Sequence, residues 1–324
     1  MTTTLLKNQG KIQRQRKAQN EDSFQTQSQV QTETKVRYQS QVQTETKPQS
    51  QSKAWINGRN LHYETFGDPS NPAVLLISDL ASQCLSWFPY FYEPIVEQGY
   101  FVIRFDHRDI GLSDWIASEE WNSSVYRIED MAQDAIGLLD ALNIEKAHII
   151  GASMGGMIAQ RMAISHPTYV RTLTSMLSAA EASKLKFNLS LLSAFDASKP
   201  PLEVQLRFWS MLAGTRYPFD TQHYQDLYHE GFVVRQGYNP QCFMHHLTAI
   251  QLSGTRLHEL GRIQAPTLVV HGTEDPLISE AHASVYAQEI PKATYLALDG
   301  VGHEIPQPIA PTVLSAIFNL FSKV

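Results

Sequence analysis

A serine enclosed by small residues is the first candidate for chemistry in this sequence. Ser153 lies between Gly151 and Gly155 in a G-x-S-x-G pattern, after an apolar run and before a segment with helical apolar spacing. This order predicts a strand, a very tight turn and a helix, with the serine hydroxyl raised at the turn and the first N–H groups of the helix beside it. Such an arrangement favours nucleophilic attack by the hydroxyl, with backbone N–H groups stabilising the anion that forms.

A serine needs a base, and two downstream segments supply the residue types for a catalytic triad. Asp275 and His303 each follow an apolar run, so each is predicted to lie just beyond the end of a strand. His303 can take up a proton near neutral pH, since the ordinary pKa of histidine is about 6.5, and Asp275 would hold its tautomer. The order Ser, Asp, His is typical of G-x-S-x-G hydrolases. Glu274 is the competing acid, placed second because Asp-Pro fits a sharper turn.

The segments that must position these residues alternate in type along the chain. Short apolar runs alternate with helical apolar spacing, which predicts a parallel sheet with helices on both faces. In such a sheet the working residues lie beyond the carboxyl ends of the strands. The alternation stops over residues 178–262, where the apolar spacing is helical. We therefore predict a core of residues 54–177 and 263–324 and a helical cap at 178–262.

Residues 1–53 differ in composition from the rest of the chain. Gln, Thr, Ser and Lys dominate, and the nonapeptide at 27–35 recurs at 39–47. Two copies of so polar a unit have no apolar faces to stack, so we predict a disordered tail. The tail carries nine basic residues against four acidic ones, and a tether to an anionic surface is the alternative.

Composition also limits the classes of function. The formal net charge of the 324 residues is −6, which argues against a nucleic-acid-binding protein. The two cysteines, Cys84 and Cys242, have neither metal-ligand spacing nor a disulfide pattern. No apolar run approaches the roughly 20 residues of a membrane span, and the N-terminus lacks the apolar core of a secretory signal. We expect a cytoplasmic protein; the basic, acid-free first residues weakly resemble an organellar transit peptide.

Four motifs together resemble those of the α/β-hydrolase superfamily. They are Gly-Ala-Ser-Met-Gly-Gly around Ser153, Gly-Thr-Glu-Asp-Pro around Asp275, Gly-Val-Gly-His ending at His303, and Asp-His-Arg-Asp-Ile-Gly-Leu-Ser at 106–113. The last is similar to the D-x-R-x-x-G-x-S loop of that fold. The resemblance covers about residues 54–324. Within the superfamily, the segment 102–109 and the inserted cap are similar to esterases of the aclacinomycin-methylesterase type. It implies a mostly parallel eight-stranded α/β sheet, a helical cap over the active site and no cofactor.

One loop departs from the pattern of the superfamily. The superfamily usually has His-Gly after the third strand, where this chain has Ser78-Asp79-Leu80. By position, the N–H groups of Leu80 and Met154 would form the oxyanion hole, and losing one such donor costs about 3–4 kcal/mol of transition-state stabilisation. Asp79 places a carboxylate close to the oxyanion. Two interpretations are open: a harmless substitution, turned away or with a pKa raised by burial, and a reduced or altered chemistry.

These motifs predict a serine hydrolase that cleaves carboxylic esters of small molecules through an acyl-enzyme on Ser153. Lactone hydrolysis, C–C bond hydrolysis and cofactor-free perhydrolysis use the same triad and remain alternatives, because specificity lies in the cap. A ligand-binding protein on a hydrolase scaffold, with Asp79 disabling the oxyanion hole, is the non-enzymatic alternative. Sequence does not determine the oligomeric state.

Other histidines and apolar residues have simpler interpretations. His107 and His271 lie near predicted strand ends, where we assign them structural roles. The pair His245-His246 has no third ligand at metal spacing, so we predict no metal site. Five apolar residues of the predicted cap are candidates for an acyl pocket, although ordinary packing explains each of them as well: Phe187, Leu191, Phe195, Trp209 and Met211.

Overall fold

The computed structural model describes residues 48–186 and 201–324, and its strands form one sheet. The strands are β1 (Ser50–Ile56), β2 (Arg59–Phe66), β3 (Ala73–Ile77), β4 (Phe101–Phe105), β5 (Ala147–Ala152), β6 (Val170–Met176), β7 (Thr267–Gly272) and β8 (Ala293–Leu298). Their order in the sheet is β1-β2-β4-β3-β5-β6-β7-β8. β2 pairs antiparallel with β1 and β4, and all other pairs are parallel. The predicted mostly parallel eight-stranded sheet is confirmed.

The described helices lie between the strands, in the segment that joins β6 to β7, or after β8. The α-helices are α1 (Pro89–Glu97), α2 (Trp121–Ser124), α3 (Ile128–Ala141), α4 (Met154–Ser165), α5 (Pro201–Leu212), α6 (Thr221–Tyr228), α7 (Cys242–Ser253), α8 (Glu280–Gln288) and α9 (Ala310–Phe321). A π-helix follows α6 at His229–Val234, and short 3-10 helices lie at Cys84–Ser86, Pro167–Tyr169, Ala182–Lys184, Leu257–Arg262 and Gln307–Ile309.

Two apolar layers cover the sheet, one on each face. Successive residues of β3 alternate between them, because side chains of a strand point to opposite faces. Leu75 belongs to the layer that contains α3, α4 and α8 residues, whereas Leu76 belongs to the layer that contains α1 and α9 residues. Both side chains are fully buried. The strands therefore have continuous apolar sequences, as in the predicted two-faced sheet.

The sheet order reverses direction at β3, which lies between β4 and β5. Chain connections on the two sides of such a point leave the sheet in opposite directions, and a crevice forms beyond the strand ends. The loop after β3 begins at Ser78, and the turn after β5 contains Ser153. The fold therefore brings the loop with Asp79 next to the predicted nucleophile.

The amino-terminal boundary of the folded unit differs from the predicted residue 54. β1 begins at Ser50, and Ser50 pairs with Thr65 of β2. The reason is that ladder hydrogen bonds use backbone groups, so a polar and exposed segment can extend a strand at the edge of a sheet. Residues 1–47 of the predicted disordered tail lie outside the described residues.

The segment between β6 and β7, residues 178–262, is called here the helical insertion. In its described part, only isolated bridges interrupt the helices and loops, at Glu181 with Thr255 and at Leu185 with Ile278. Whether it acts as a cap remains a prediction. Within residues 48–186 and 201–324, every helix is too short or too polar to cross a bilayer.

A cluster of ion pairs connects the helical insertion to the sheet. Glu64 of β2 is fully buried and contacts Arg104 of β4 at 2.6 Å and Arg235 of the insertion at 2.7 Å. Burial opposes ionisation of Glu64, but a hydrogen bond with His62 and the two guanidinium charges hold its pKa well below the ordinary value. Its carboxylate is therefore charged and pairs with the buried Arg104 and the partly buried Arg235.

Glu64→Gln is expected to lower the free energy of unfolding by about 3 kcal/mol, because it leaves the buried Arg104 without its counter-ion. Arg235 loses one of two carboxylate partners and keeps Glu230 at 3.3 Å. Urea denaturation followed by circular dichroism measures the change. Glu97→Gln at the exposed end of α1 is the control and should change stability by less than about 0.5 kcal/mol. Equal stability of the two variants would show that the cluster does not hold the insertion in place.

Candidate active site

Ser153 occupies a strained turn between β5 and α4. Its backbone angles are φ 52° and ψ −115°, in a region that a side chain rarely adopts. The turn also needs glycine on both sides. A Cβ on Gly151 would lie 2.1 Å from the Gly155 oxygen, and one on Gly155 would lie 2.0 Å from the Ile77 oxygen. The small residues of the motif are thus required by close backbone contacts, which aim the Ser153 side chain away from the sheet.

The structure brings the three predicted triad residues together. His303 Nε2 lies 2.9 Å from Ser153 Oγ, and His303 Nδ1 lies 2.7 Å from Asp275 Oδ2. Both distances are those of hydrogen bonds. The competing acid, Glu274, points elsewhere: its carboxylate accepts the N–H and the hydroxyl of Thr215 at 2.7 and 2.9 Å. Asp275 is therefore the carboxylate in contact with the imidazole.

The charge on His303 depends on Asp275. Burial disfavours the imidazolium, but the charge of Asp275 and the hydrogen bond to it outweigh burial, and the pKa of His303 is raised above the ordinary 6.5. For Asp275, burial is likewise outweighed by His303 and His271, and its pKa is held well below the ordinary value. A charged carboxylate beside a histidine of raised pKa is the electrostatic arrangement that a general base needs.

Asp275 is itself held by the turn that follows β7. Its Oδ1 accepts the N–H groups of Leu277 and Ile278 at 2.8 and 2.9 Å. On the other oxygen, His271 Nε2 lies 3.1 Å from Oδ2 and is also 2.9 Å from the Ile278 carbonyl. His271, to which the sequence assigns a structural role, thus contacts the triad acid. Its place four residues before Asp275, at the end of an apolar run, is the sequence signal for this contact.

Two backbone N–H groups are the candidates for the predicted oxyanion hole. Met154 is the first residue of α4, so its N–H has no acceptor within the helix. Leu80 follows Asp79 in the loop after β3. Among the described residues, neither N–H donates to a protein acceptor. Unpaired donors near a nucleophile are available to an anion that forms there.

The Asp79 side chain lies in the site and does not turn away from it. It lines both cavities that contain Ser153 and His303. Burial raises the pKa of Asp79, against hydrogen bonds from Ser82 and Ser86 and the charge of His303, which lower it. Burial thus makes the neutral form of this carboxyl easier to reach than in water, and a neutral carboxyl does not repel an oxyanion.

Two cavities share the triad serine and histidine. The larger has a volume of about 110 Å³ and the smaller about 40 Å³. The larger one is rich in aromatic rings, from Trp87, Phe88, Tyr90, Phe91, Trp209 and Tyr224. The smaller one is mainly aliphatic, from Leu80, Leu185, Ile250, Leu277 and Ile278, with Phe208 and Phe243.

The predicted acyl-pocket residues fall into three groups. Trp209 lines the larger cavity, as the sequence suggests. Met211 packs against the hydrophobic core and lines neither cavity. Phe187, Leu191 and Phe195 lie outside the described residues.

One group of described side chains has the types and proximity of a metal site. The ligand-type atoms of His62, Cys84 and Asp106 lie within 4.8 Å of one another. However, the two carboxylate oxygens of Asp106 accept the N–H groups of Cys84 and Leu112, at 2.7 and 2.9 Å. Arg235 Nη1 also lies 4.0 Å from Cys84 Sγ. Occupied acceptors and an adjacent cation do not fit a bound metal ion, so this group is structural.

The Asp-His-Arg-Asp motif at 106–109 contacts the loop after β3 and holds it in place. Asp106 fixes the loop after β3 through the Cys84 N–H, and Arg108 forms a bidentate ion pair with Asp134 of α3, both contacts at 2.7 Å. His107 Nε2 lies 3.0 Å from the Ser78 carbonyl. The motif therefore holds the loop that carries Leu80, a role that its spacing alone does not reveal.

Comparison with known proteins identifies relatives that match most of the folded unit. A family model described as the alpha/beta hydrolase fold matches residues 72–306. A rhodomycin D methylesterase of Streptomyces is 29% identical over 281 residues, which cover 78% of this chain and 92% of that protein. A 3-oxoadipate enol-lactonase of Acinetobacter baylyi is 28% identical over 251 residues, covering 74% and 85% respectively.

Solved structures show the same fold. A meta-cleavage product hydrolase from Pseudomonas fluorescens has a TM-score of 0.68 and 18% identity, with 84% of this chain and 97% of that chain covered. An enol-lactonase from Burkholderia xenovorans has a TM-score of 0.65 and 21% identity, with 84% and 100% covered. At these identities the likeness concerns the fold and leaves the substrate open.

Proposed function

This chain belongs to the alpha/beta hydrolase family, and from that premise we propose that it is a carboxylesterase that forms an acyl-enzyme on Ser153. The protein is a hydrolase of ester bonds; the covalent route and the substrate are the proposal. The observation that carries it is the continuous contact from Ser153 through His303 to Asp275. The unpaired N–H groups of Met154, which follows Ser153, and of Leu80, which lines a cavity with Ser153, support it. The helical insertion is proposed to be the cap over this site.

Acylation begins with the Ser153 hydroxyl. His303 Nε2 accepts its proton as the oxygen attacks the ester carbonyl, and the imidazolium is stabilised by the Asp275 carboxylate at Nδ1. The carbonyl oxygen becomes an oxyanion that accepts from the N–H groups of Met154 and Leu80. His303 then returns the proton to the leaving alcohol as the tetrahedral intermediate collapses.

Deacylation repeats these steps with water in place of the alcohol. His303 takes a proton from water, the hydroxide attacks the acyl carbonyl, and the same N–H groups of Met154 and Leu80 hold the second oxyanion. Collapse releases the carboxylic acid, and the proton returns from His303 to Ser153 Oγ. Every proton thus moves through one imidazole nitrogen.

An active-site-directed fluorophosphonate tests the proposal. We expect one phosphonyl group per chain, located on Ser153 by peptide mass spectrometry, together with turnover of p-nitrophenyl esters. A folded protein that is neither labelled nor active would instead support the ligand-binding alternative, in which Asp79 disables the oxyanion hole.

The charges of the cavities narrow the proposed substrate class. Asp79 and Glu304 line the larger cavity, and the described lining of both cavities contains no Lys or Arg. A substrate carboxylate would therefore lose its hydration without gaining a cationic partner. This supports esters without a carboxylate on the acyl chain, and it disfavours dicarboxylate substrates.

A matched pair of substrates should reveal this charge preference. We expect kcat/KM for p-nitrophenyl butyrate to exceed that for mono-p-nitrophenyl succinate by about tenfold or more, because the anion loses its hydration and meets carboxyl groups and no Lys or Arg in the described lining. Stopped-flow release of p-nitrophenol measures both constants under the same conditions.

Glu304→Gln serves as the control for that preference. Glu304 accepts the Tyr224 hydroxyl at 2.6 Å, a contact that a glutamine oxygen can keep. The ratio of the two kcat/KM values should shrink by about three- to tenfold in this variant. An unchanged ratio would mean that cavity shape, and not charge, rejects the anion.

Lactone hydrolysis is the second candidate, and the likeness to a 3-oxoadipate enol-lactonase favours it. A lactone is a cyclic ester, so the steps at Ser153 are unchanged and the leaving oxygen stays attached to the acyl group. Assays of uncharged γ- and δ-lactones in parallel with linear esters distinguish the two candidate functions, and the substrate class with the higher kcat/KM is the preferred one. A lactone ring must fit the cavity volume and its aromatic lining.

A further inference from the structure

We propose that His246 is a positioning residue for the oxyanion loop, defined as residues 78–82, and that through it the helical insertion sets the position of the Leu80 N–H. The inference rests on the proposed function, because the position of that N–H matters to a reaction that passes through an oxyanion. His246 lines neither cavity, so it acts on the loop and not on the substrate.

The imidazole of His246 joins the insertion to the oxyanion loop. The Ala81 N–H donates to Nδ1 at 3.1 Å, and Nε2 lies 2.9 Å from the Arg108 carbonyl. A carbonyl can only accept, so Nε2 carries the proton and Nδ1 is free to accept. Both ring nitrogens are thereby assigned, and the tautomer with the proton on Nε2 suits both contacts.

His246 must be neutral for this arrangement. Its side chain is fully buried, and burial together with the nearby His107 lowers its pKa to about 3. A proton on Nδ1 would face the Ala81 N–H and break the contact. The imidazole therefore remains an acceptor throughout the pH range in which a histidine base operates.

The Ala81 contact acts on a strained part of the loop. Ala81 has φ 55°, in the left-handed region that non-glycine residues rarely adopt. The loop has no glycine at this place, so an external hydrogen bond is needed to hold that conformation. At the other end, the Ser78 carbonyl is bound by His107 Nε2 at 3.0 Å. Leu80 lies between these two fixed ends.

The same helix that carries His246 also contributes to the smaller cavity. Phe243 and Ile250 of α7 line that cavity together with Leu80. A substrate group that contacts these side chains therefore contacts the helix that holds Ala81. The position of the oxyanion donor is in this way coupled to the placement of the insertion.

Three variants separate the two hydrogen bonds of His246. His246→Asn places an amide oxygen near the Nδ1 position and keeps an acceptor for the Ala81 N–H. His246→Gln places its amide nitrogen near the Nε2 position and keeps the bond to Arg108. His246→Leu removes both. The Gln and Leu side chains remain close to the original volume, whereas the Asn side chain is smaller.

We expect kcat for p-nitrophenyl butyrate to fall about 10- to 100-fold in the Gln and Leu variants, with KM changed less than about threefold, because an oxyanion donor is displaced without loss of the cavities. His246→Asn should retain kcat within about threefold of the wild type. The second-order rate of fluorophosphonate labelling should follow kcat, since the phosphonyl oxygen uses the same donors.

His148→Asn is the control for losing a buried histidine. His148 is buried near the start of β5, and its Nδ1 contacts Thr172 Oγ1 at 2.8 Å. We expect lower thermal stability and an unchanged kcat in this variant, which shows that a loss of stability of this size does not by itself lower turnover.

The kinetic and labelling results distinguish failure of the positioning role from failure of the proposed function. Equal kcat in the Asn and Gln variants, or a rise in KM that accounts for the loss, would overturn the positioning role while the proposed function stands. A wild-type protein that is neither labelled nor active would overturn the proposed function, and the positioning role with it, since no oxyanion would form. If the Leu variant does not fold, the Asn and Gln pair decides.

Discussion

Ser153→Ala is expected to lower kcat/KM for p-nitrophenyl esters by about 10⁴- to 10⁶-fold, because the nucleophile of the acyl-enzyme route is removed. The remaining rate would come from the oxyanion hole and substrate binding alone. The hydroxyl makes its contact with His303 and no other side chain in the described residues, so the fold should be kept. Initial-rate assays with enzyme prepared free of wild-type protein measure the loss.

Ser178→Ala is the matched control for that variant. Ser178 is buried beside the same turn, where its hydroxyl donates to the Ser153 carbonyl at 2.7 Å. Removing this hydroxyl costs one neutral hydrogen bond and leaves the nucleophile in place, so kcat/KM should change by about tenfold or less. Full activity of Ser153→Ala would refute the acyl-enzyme mechanism, whatever the control does.

Asp275→Asn is expected to lower kcat by about 10⁴-fold while the fold is kept. The amide oxygen can still accept the N–H groups of Leu277 and Ile278, so the amide nitrogen would face His303 Nδ1. A donor at that place forces the proton onto Nε2, which can then no longer accept from Ser153. Burst and steady-state kinetics with a p-nitrophenyl ester measure the effect on acylation.

The pH profile of the same variant gives an independent readout. The base must be neutral, so wild-type kcat/KM rises with pH through the pKa of His303, which is raised above 6.5. Without the Asp275 charge, burial lowers the pKa of the imidazole against the smaller effect of Asp79, so the acid limb should move to lower pH. An acid limb that stays in place would mean that Asp275 does not stabilise the imidazolium.

Glu274→Gln is the control for the choice of acid. Glu274 binds Thr215 of the insertion and makes no contact with His303 among the described residues. Its loss should therefore change kcat by less than about tenfold. A loss as large as that of Asp275→Asn would assign the acid of the triad to Glu274.

The sequence predicts the core of the fold because local patterns encode it. Apolar runs of strand length alternate with helical spacing, and the parallel sheet with helices on both faces follows from that alternation. The turn at Ser153 is equally local, since Gly151 and Gly155 must lack side chains for the backbone to pass so closely. The edge strand β1 was missed over residues 50–53, because its polar side chains carry no burial pattern.

The sequence by itself thus determined Ser153 and His303, the adjacent acids Glu274 and Asp275 as candidates for the third member, their order and the strand ends on which they lie. Only the tertiary structure decided which acid faces His303, where the Asp79 carboxyl lies, and that His107 and His246 bind the oxyanion loop. The contact from His246 to Ala81 spans 165 residues of chain. Periodicity and turn chemistry act over a few neighbouring residues, whereas such contacts depend on how the insertion packs onto the sheet, and no local pattern records that packing.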